Sequence, residues 1–111
     1  LGREEAWTLE TEALRIAVEL GYTEVIAYAL GTLAEILLTR DAELAARLLG
    51  RGDALFAELG IQRYGDEATA WERTREALAE RLRAERLREL TAAGAELGGE
   101  QALAEVAAAA R

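Results

Sequence analysis

The chain has 111 residues, a formal charge of −8, 51% hydrophobic residues and 31% charged ones, enough apolar material for one folded core with little to spare. It contains no His, Cys, Ser, Lys, Asn, Met or Pro, which removes the usual nucleophiles other than Thr and Tyr, the neutral-pH proton shuttle and the soft metal ligands. Catalysis, a bound metal and a cofactor are therefore not expected, and the negative charge disfavours nucleic acid or an anionic membrane as a partner.

No apolar run reaches the roughly 18 to 20 residues of a membrane span, and no secretory leader opens the chain, so the cytoplasm is the expected compartment. Ala, Leu, Glu and Arg dominate, and nothing alternates with period two, so the fold class expected is all-α, with about six helices. One domain over 1–111 is expected, as a hairpin region of about 1–60 followed by C-terminal capping helices over 61–111.

The first helix is predicted from about Arg3 to Leu20. Ala6, Leu9, Ala13, Ile16, Ala17 and Leu20 form its core side, and Gly21 is its stop. Trp7 lies off that stripe and is expected to cover an upstream helix or a partner. A helical hairpin then runs between Thr23 and Gly60. Leu30, Leu33, Ala34 and Leu37 recur at the three/four spacing of one face. After a break at Thr39-Arg40-Asp41, a second stripe follows at Ala45, Leu48, Leu49, Gly52, Leu55 and Leu59.

An internal repeat relates the two segments. A shift of 39 positions lays Glu19-Leu20-Gly21 on Glu58-Leu59-Gly60, Ala6 on Ala45, Leu9 on Leu48, Ala13 on Gly52 and Ile16 on Leu55. The first helix thus corresponds to the second half of the hairpin. A first half for it is expected upstream, in a longer chain of which this one is a piece.

After a loop over Ile61 to Gly65, in which Tyr64 is expected as an anchor, a helix is predicted from about Asp66 to Leu82 with Ala70, Trp71, Ala77 and Leu78 inward. The six Arg between Arg73 and Arg88 alternate with Glu, and Glu72/Arg75, Glu80/Arg83 and Arg81/Glu85 read as pairs on a solvated face. A fifth helix, about Ala84 to Ala93, carries Leu87 and Leu90 and stops at Gly94. Arg83-Ala84-Glu85 contains no breaker, so its continuity with the fourth helix stays open. Gly98-Gly99 precede a sixth helix, about Glu100 to Ala110, with Ala102, Leu103 and Val106 inward. The acid pairs Glu4/Glu5, Asp41/Glu43, Asp66/Glu67 and Glu96/Glu100 all fall near helix starts, where capping and the helix dipole account for them.

The large-and-small order of the hairpin resembles the tetratricopeptide repeat, an α-solenoid unit of two antiparallel helices. More specifically, Ile26-Ala27-Tyr28-Ala29-Leu30-Gly31-Thr32-Leu33-Ala34 with Ala45-Ala46-Arg47-Leu48-Leu49-Gly50 is similar to the last repeat of large bacterial LuxR-type or ATPase-linked transcriptional regulators. Glu85-Arg86-Leu87-Arg88-Glu89-Leu90, Ala93-Gly94-Ala95-Glu96-Leu97 and Glu100-Gln101-Ala102-Leu103 resemble the stretch that closes that region. A bacterial source also fits the all-Arg basic complement, which reads as high-GC coding. Three departures stand out: Asp41 directly after Arg40 without an intervening Gly, Asp53 at a commonly apolar position, and no closing Pro.

The resemblance implies a non-catalytic scaffold for protein–protein or interdomain contact in a signal-responsive regulator. The first helix of each repeat would line a concave groove, at Tyr28, Gly31, Glu35, Leu38 and Thr39, with Trp7 as a further contact. The partner would be a protein, a peptide or a neighbouring domain, with no direct nucleic acid and no membrane. The alternative is a self-contained peptide- or protein-binding helical module that homodimerises.

Overall fold

Two helices of equal length, 39 positions apart, frame the fold. The computed structural model describes residues 2–109, with α1 over Arg3–Leu20, α2 over Thr23–Leu37, α3 over Ala42–Leu59, α4 over Gly65–Leu82, α5 over Ala84–Ala95 and α6 over Gly99–Ala109. Every regular element among the described residues is a helix. Gly21 (φ 72°) and Gly60 (φ 66°) both close their helices in the left-handed conformation that favours glycine. The N–H groups of Gly21 and Tyr22 donate to the Val18 and Ala17 carbonyls, and those of Gly60 and Ile61 donate to Ala57 and Phe56. The 39-residue repeat is therefore reproduced down to its capping bonds.

Asp41 begins α3, its carboxylate accepting from the Leu44 N–H at 3.0 Å, so the turn without an intervening Gly is capped by the residue that shortens it. The α2/α3 hairpin is the centre of the core: Leu30, Leu33, Leu48 and Leu49 are fully buried. On α3 packs α5, at a crossing made of small residues. A Cβ on Gly50 would lie 2.1 Å from the Thr91 carbonyl oxygen, and one on Gly94 would lie 1.9 Å from that of Arg47. Gly94 thus serves helix contact inside α5 and does not end it, contrary to its expected role as a stop.

Between α4 and α5 the chain does break, at Arg83, whose φ of 67° with ψ of 153° interrupts the ladder. That break is why the expected Glu80/Arg83 and Arg81/Glu85 pairs do not form among the described residues. Instead Arg86 crosses to Glu43 of α3 at 3.2 Å, and of the three expected pairs only Glu72/Arg75, at 3.7 Å, is present. The sixth helix folds back onto α1, where Gly99 meets Val18, and it is tied to α3 by the Arg47–Glu105 ion pair at 3.0 Å.

This return decides which side of α1 is inside. Trp7, Leu14 and Ala17 are buried with Val18 half-buried, while Leu9, Ile16 and Leu20 of the expected core side are 56%, 41% and 57% exposed. The helix carries two apolar stripes, and both of its neighbours, α2 and α6, stand on the Trp7/Leu14 side. Leu59, expected in the core, is also exposed, and so is Tyr64, whose hydroxyl donates to Gln62 of its own loop and to no other side chain among the described residues. Ala110, the expected last residue of α6, lies outside the described residues.

A Cα radius of gyration of 12.7 Å matches the roughly 13 Å of a compact domain of this length. The hairpin is covered on both flanks, by α1 on α2 and by α5 on α3, with α4 lying across α3, α5 and α2. No described helix is long and apolar enough to cross a membrane.

Candidate functional site

Trp71 of α4 is wedged between the two helices of the hairpin. Its six-membered ring occupies a slot that only glycines permit: Cβ atoms on Gly31 and Gly52 would come within 2.0 Å and 2.7 Å of it. On the far side, the indole N–H donates to Asp53 Oδ1 at 2.8 Å. Arg63 donates to the same oxygen at 3.0 Å, and Arg75 to Oδ2 at 2.6 Å. The Arg63 guanidinium also lies 4.3 Å above the Trp71 ring centre and 4.6 Å from that of Phe56. Phe56 in turn meets Trp71 and Tyr28 edge to face, at 5.4 and 4.9 Å between centroids.

Beside this wedge, between α2 and α4, lies a cleft of about 460 Å³ lined by Tyr28, Gly31, Thr32, Glu35, Glu67, Ala70, Trp71 and Thr74. The Thr32 and Thr74 hydroxyls donate to the Tyr28 and Ala70 carbonyls, so what they present is acceptor capacity. Neither Glu35 nor Glu67 is in an ion pair among the described residues. Partial burial, followed by the nearby charges of Glu67 and Glu24, pushes the Tyr28 phenol above the usual tyrosine range, and Arg63 opposes this only weakly. The cleft therefore presents the Tyr28 ring and the carboxylates of Glu35 and Glu67, with the Tyr28 hydroxyl directed at Glu67.

Of the groove positions expected from sequence, Tyr28, Gly31 and Glu35 lie together in this cleft. Leu38 does not line it: it is half-buried and packs against the core. Thr39 is exposed beyond the end of α2, where its hydroxyl accepts from Arg3 at 3.3 Å. Trp7, expected at a partner surface, is 7% exposed and belongs to the core, because α1 is turned toward α2 and α6. The cleft residues from α4 were not expected as a site. Glu67 reads in sequence as a helix-start acid and Trp71 as a core residue. The facing glycines at 31 and 52 signal a close approach, but not which distant side chain fills it.

A second surface is the outer face of α1. Leu9, Ile16 and Leu20 follow one another along it, with Ala6 and Ala13 half-buried on one side and Glu5, Glu12 and Glu19 exposed on the other. Arg15 pairs with both Glu12 and Glu19, at 2.8 Å for the latter, and its hydrogen bond holds the Glu12 carboxyl below the usual range. The chain matches no protein-family model, no curated protein and no solved structure at significant similarity.

Proposed function

We propose that the chain is a non-catalytic interaction scaffold whose α1 face receives a further helix, as the closing part of a tetratricopeptide-like region in a multidomain bacterial LuxR-type regulator would. The observation that carries this reading is the unequal cover of two equivalent helices. Leu48 and Leu55 of α3 are 0% and 4% exposed, whereas their counterparts Leu9 and Ile16 on α1 are 56% and 41% exposed. The same apolar pattern has a neighbour in one place and lacks it in the other.

A docked helix would make α1 the middle of a three-layer stack, so that a change in its seating would move α1 against α2 and α6. Coupling to an effector domain would then be a difference in packing energy between two seatings. A homodimer formed through the same face is the second reading, favoured by the continuity of the stripe, which a two-fold partner can cover with its own copy.

Either way, the isolated chain should self-associate. Finishing the burial of three half-exposed aliphatic side chains on each protomer is worth about 1 kcal/mol each before the cost of association, so any dimer is weak and is sought at millimolar concentration. Sedimentation equilibrium across a concentration series measures this. The Leu9→Glu/Ile16→Glu variant should stay monomeric with unchanged circular dichroism, since both positions are exposed. A wild-type chain strictly monomeric at millimolar concentration, or association indifferent to the double substitution, overturns the reading.

A further inference from the structure

The cleft between α2 and α4 has a chemistry of its own, set by groups on its two walls that do not neutralise each other. Glu35 stands in the last turn of α2, the end of the helix that carries partial negative charge, where a carboxylate is disfavoured. It is exposed and has no ion-pair partner among the described residues, so nothing in the fold repays its position. Across the cleft is a second carboxylate, Glu67, whose charge acts on the Tyr28 phenol.

We propose that this cleft binds the cationic side chain of an arginine- or lysine-bearing segment of a protein partner, with Glu35 and Glu67 as its counter-charges and the half-buried Tyr28 ring as aromatic surface. Three features agree on that occupant. The charge is complementary, because the two charged side chains of the lining, Glu35 and Glu67, are both carboxylates. The volume of about 460 Å³ accommodates a long side chain together with adjoining backbone. The same aromatic cluster already carries a guanidinium on its other side, where Arg63 sits 4.3 Å over Trp71 with Asp53 as its counter-charge. A cation in the cleft would instead meet the half-buried Tyr28 ring, which joins the same cluster through Phe56. The inference rests on the reading of the chain as an interaction scaffold but uses different helices from the α1 face.

The test is an NMR titration of the full chain with the capped hexapeptide acetyl-Ala-Arg-Ala-Ala-Arg-Ala-amide and its citrulline counterpart, which keeps the shape and removes the charge. Shifts should concentrate on the amides of Tyr28, Gly31, Thr32 and Glu35, and the citrulline peptide should produce none. Glu35→Gln/Glu67→Gln should weaken binding by about tenfold, the sum of two partly exposed ion pairs and altered cation–aromatic contact. Glu58→Gln/Glu96→Gln removes the same charge from exposed positions outside the cleft and should change affinity by less than about twofold. Because Glu35 is poorly placed for its helix, Glu35→Gln should leave the melting temperature unchanged or higher. No binding of the arginine peptide at millimolar concentration, equal weakening by the two double variants, shifts spread over the whole acidic surface, or equal binding of the citrulline peptide each overturn the proposal. None of these outcomes bears on the α1 face, which is tested by association alone.

Discussion

Asp53 interrupts an otherwise apolar pattern on α3, and three donors explain why it is there. Its carboxylate holds the indole of Trp71 and the guanidinium groups of Arg63 and Arg75, and so fastens the wedge that shapes the cleft. Asp53→Ala should lower stability by about 1.5 to 3 kcal/mol, since two guanidinium groups and a largely buried indole N–H lose their acceptor at once. Asp53→Leu, which restores the usual apolar residue, should be as destabilising as the alanine variant. Urea denaturation separates the cases, and a leucine variant as stable as the wild type would mean that the network is incidental. Arg83 is a different kind of exception. It is the non-glycine residue with positive φ among those described, a strained state that costs on the order of 1 kcal/mol or more. Arg83→Gly should therefore raise the midpoint of thermal unfolding, because glycine adopts that conformation without the Cβ penalty. A lower midpoint would show that the arginine side chain contributes more than its backbone costs.

At the level of elements, the α3/α5 crossing depends on the absence of side chains at two points. A Cβ on Gly94 would fall 1.9 Å from the Arg47 carbonyl oxygen, which belongs to backbone and can move only if the helices separate. Gly94→Ala should cost about 3 kcal/mol or more. Gly98→Ala, whose nearest neighbour is the flexible Gln101 side chain at 3.5 Å, should cost less than about 1 kcal/mol. Chemical denaturation of the two variants checks the contrast, and similar losses would place the crossing elsewhere. Sequence alone treats these glycines alike, because glycine serves equally as a helix stop and as a site of close approach. The hairpin was more legible. Leu30, Leu33, Ala34 and Leu37 are buried as their spacing predicts, as are Ala45, Leu48, Leu49, Gly52 and Leu55.

For the molecule as a whole, the decisive event is the return of α6 to α1. It buries one apolar stripe of α1 and leaves the other in water, so the same helix has a core face and an exposed apolar face. A long-range bond between Arg47 and Glu105 and another between Arg86 and Glu43 join segments that are distant in the chain. Nothing local in either pair announces its partner.

The all-helical class, the limits of α1 and of the hairpin, the caps at Gly21 and Gly60 and the 39-residue correspondence were determined by the sequence itself. Propensity, capping and apolar spacing act within a turn or two of the chain, so a local reading captures them. Half of the groove was legible for the same reason: Tyr28, Gly31 and Glu35 share one face of one helix. The other half was decided only in the tertiary structure, where Trp71 enters the slot of Gly31 and Gly52 and brings Glu67 opposite Glu35. The inward side of α1 was settled there too. Its two stripes are each compatible with burial, and the choice between them depends on where α2 and α6 stand, a property of the packed molecule that no spacing within α1 encodes.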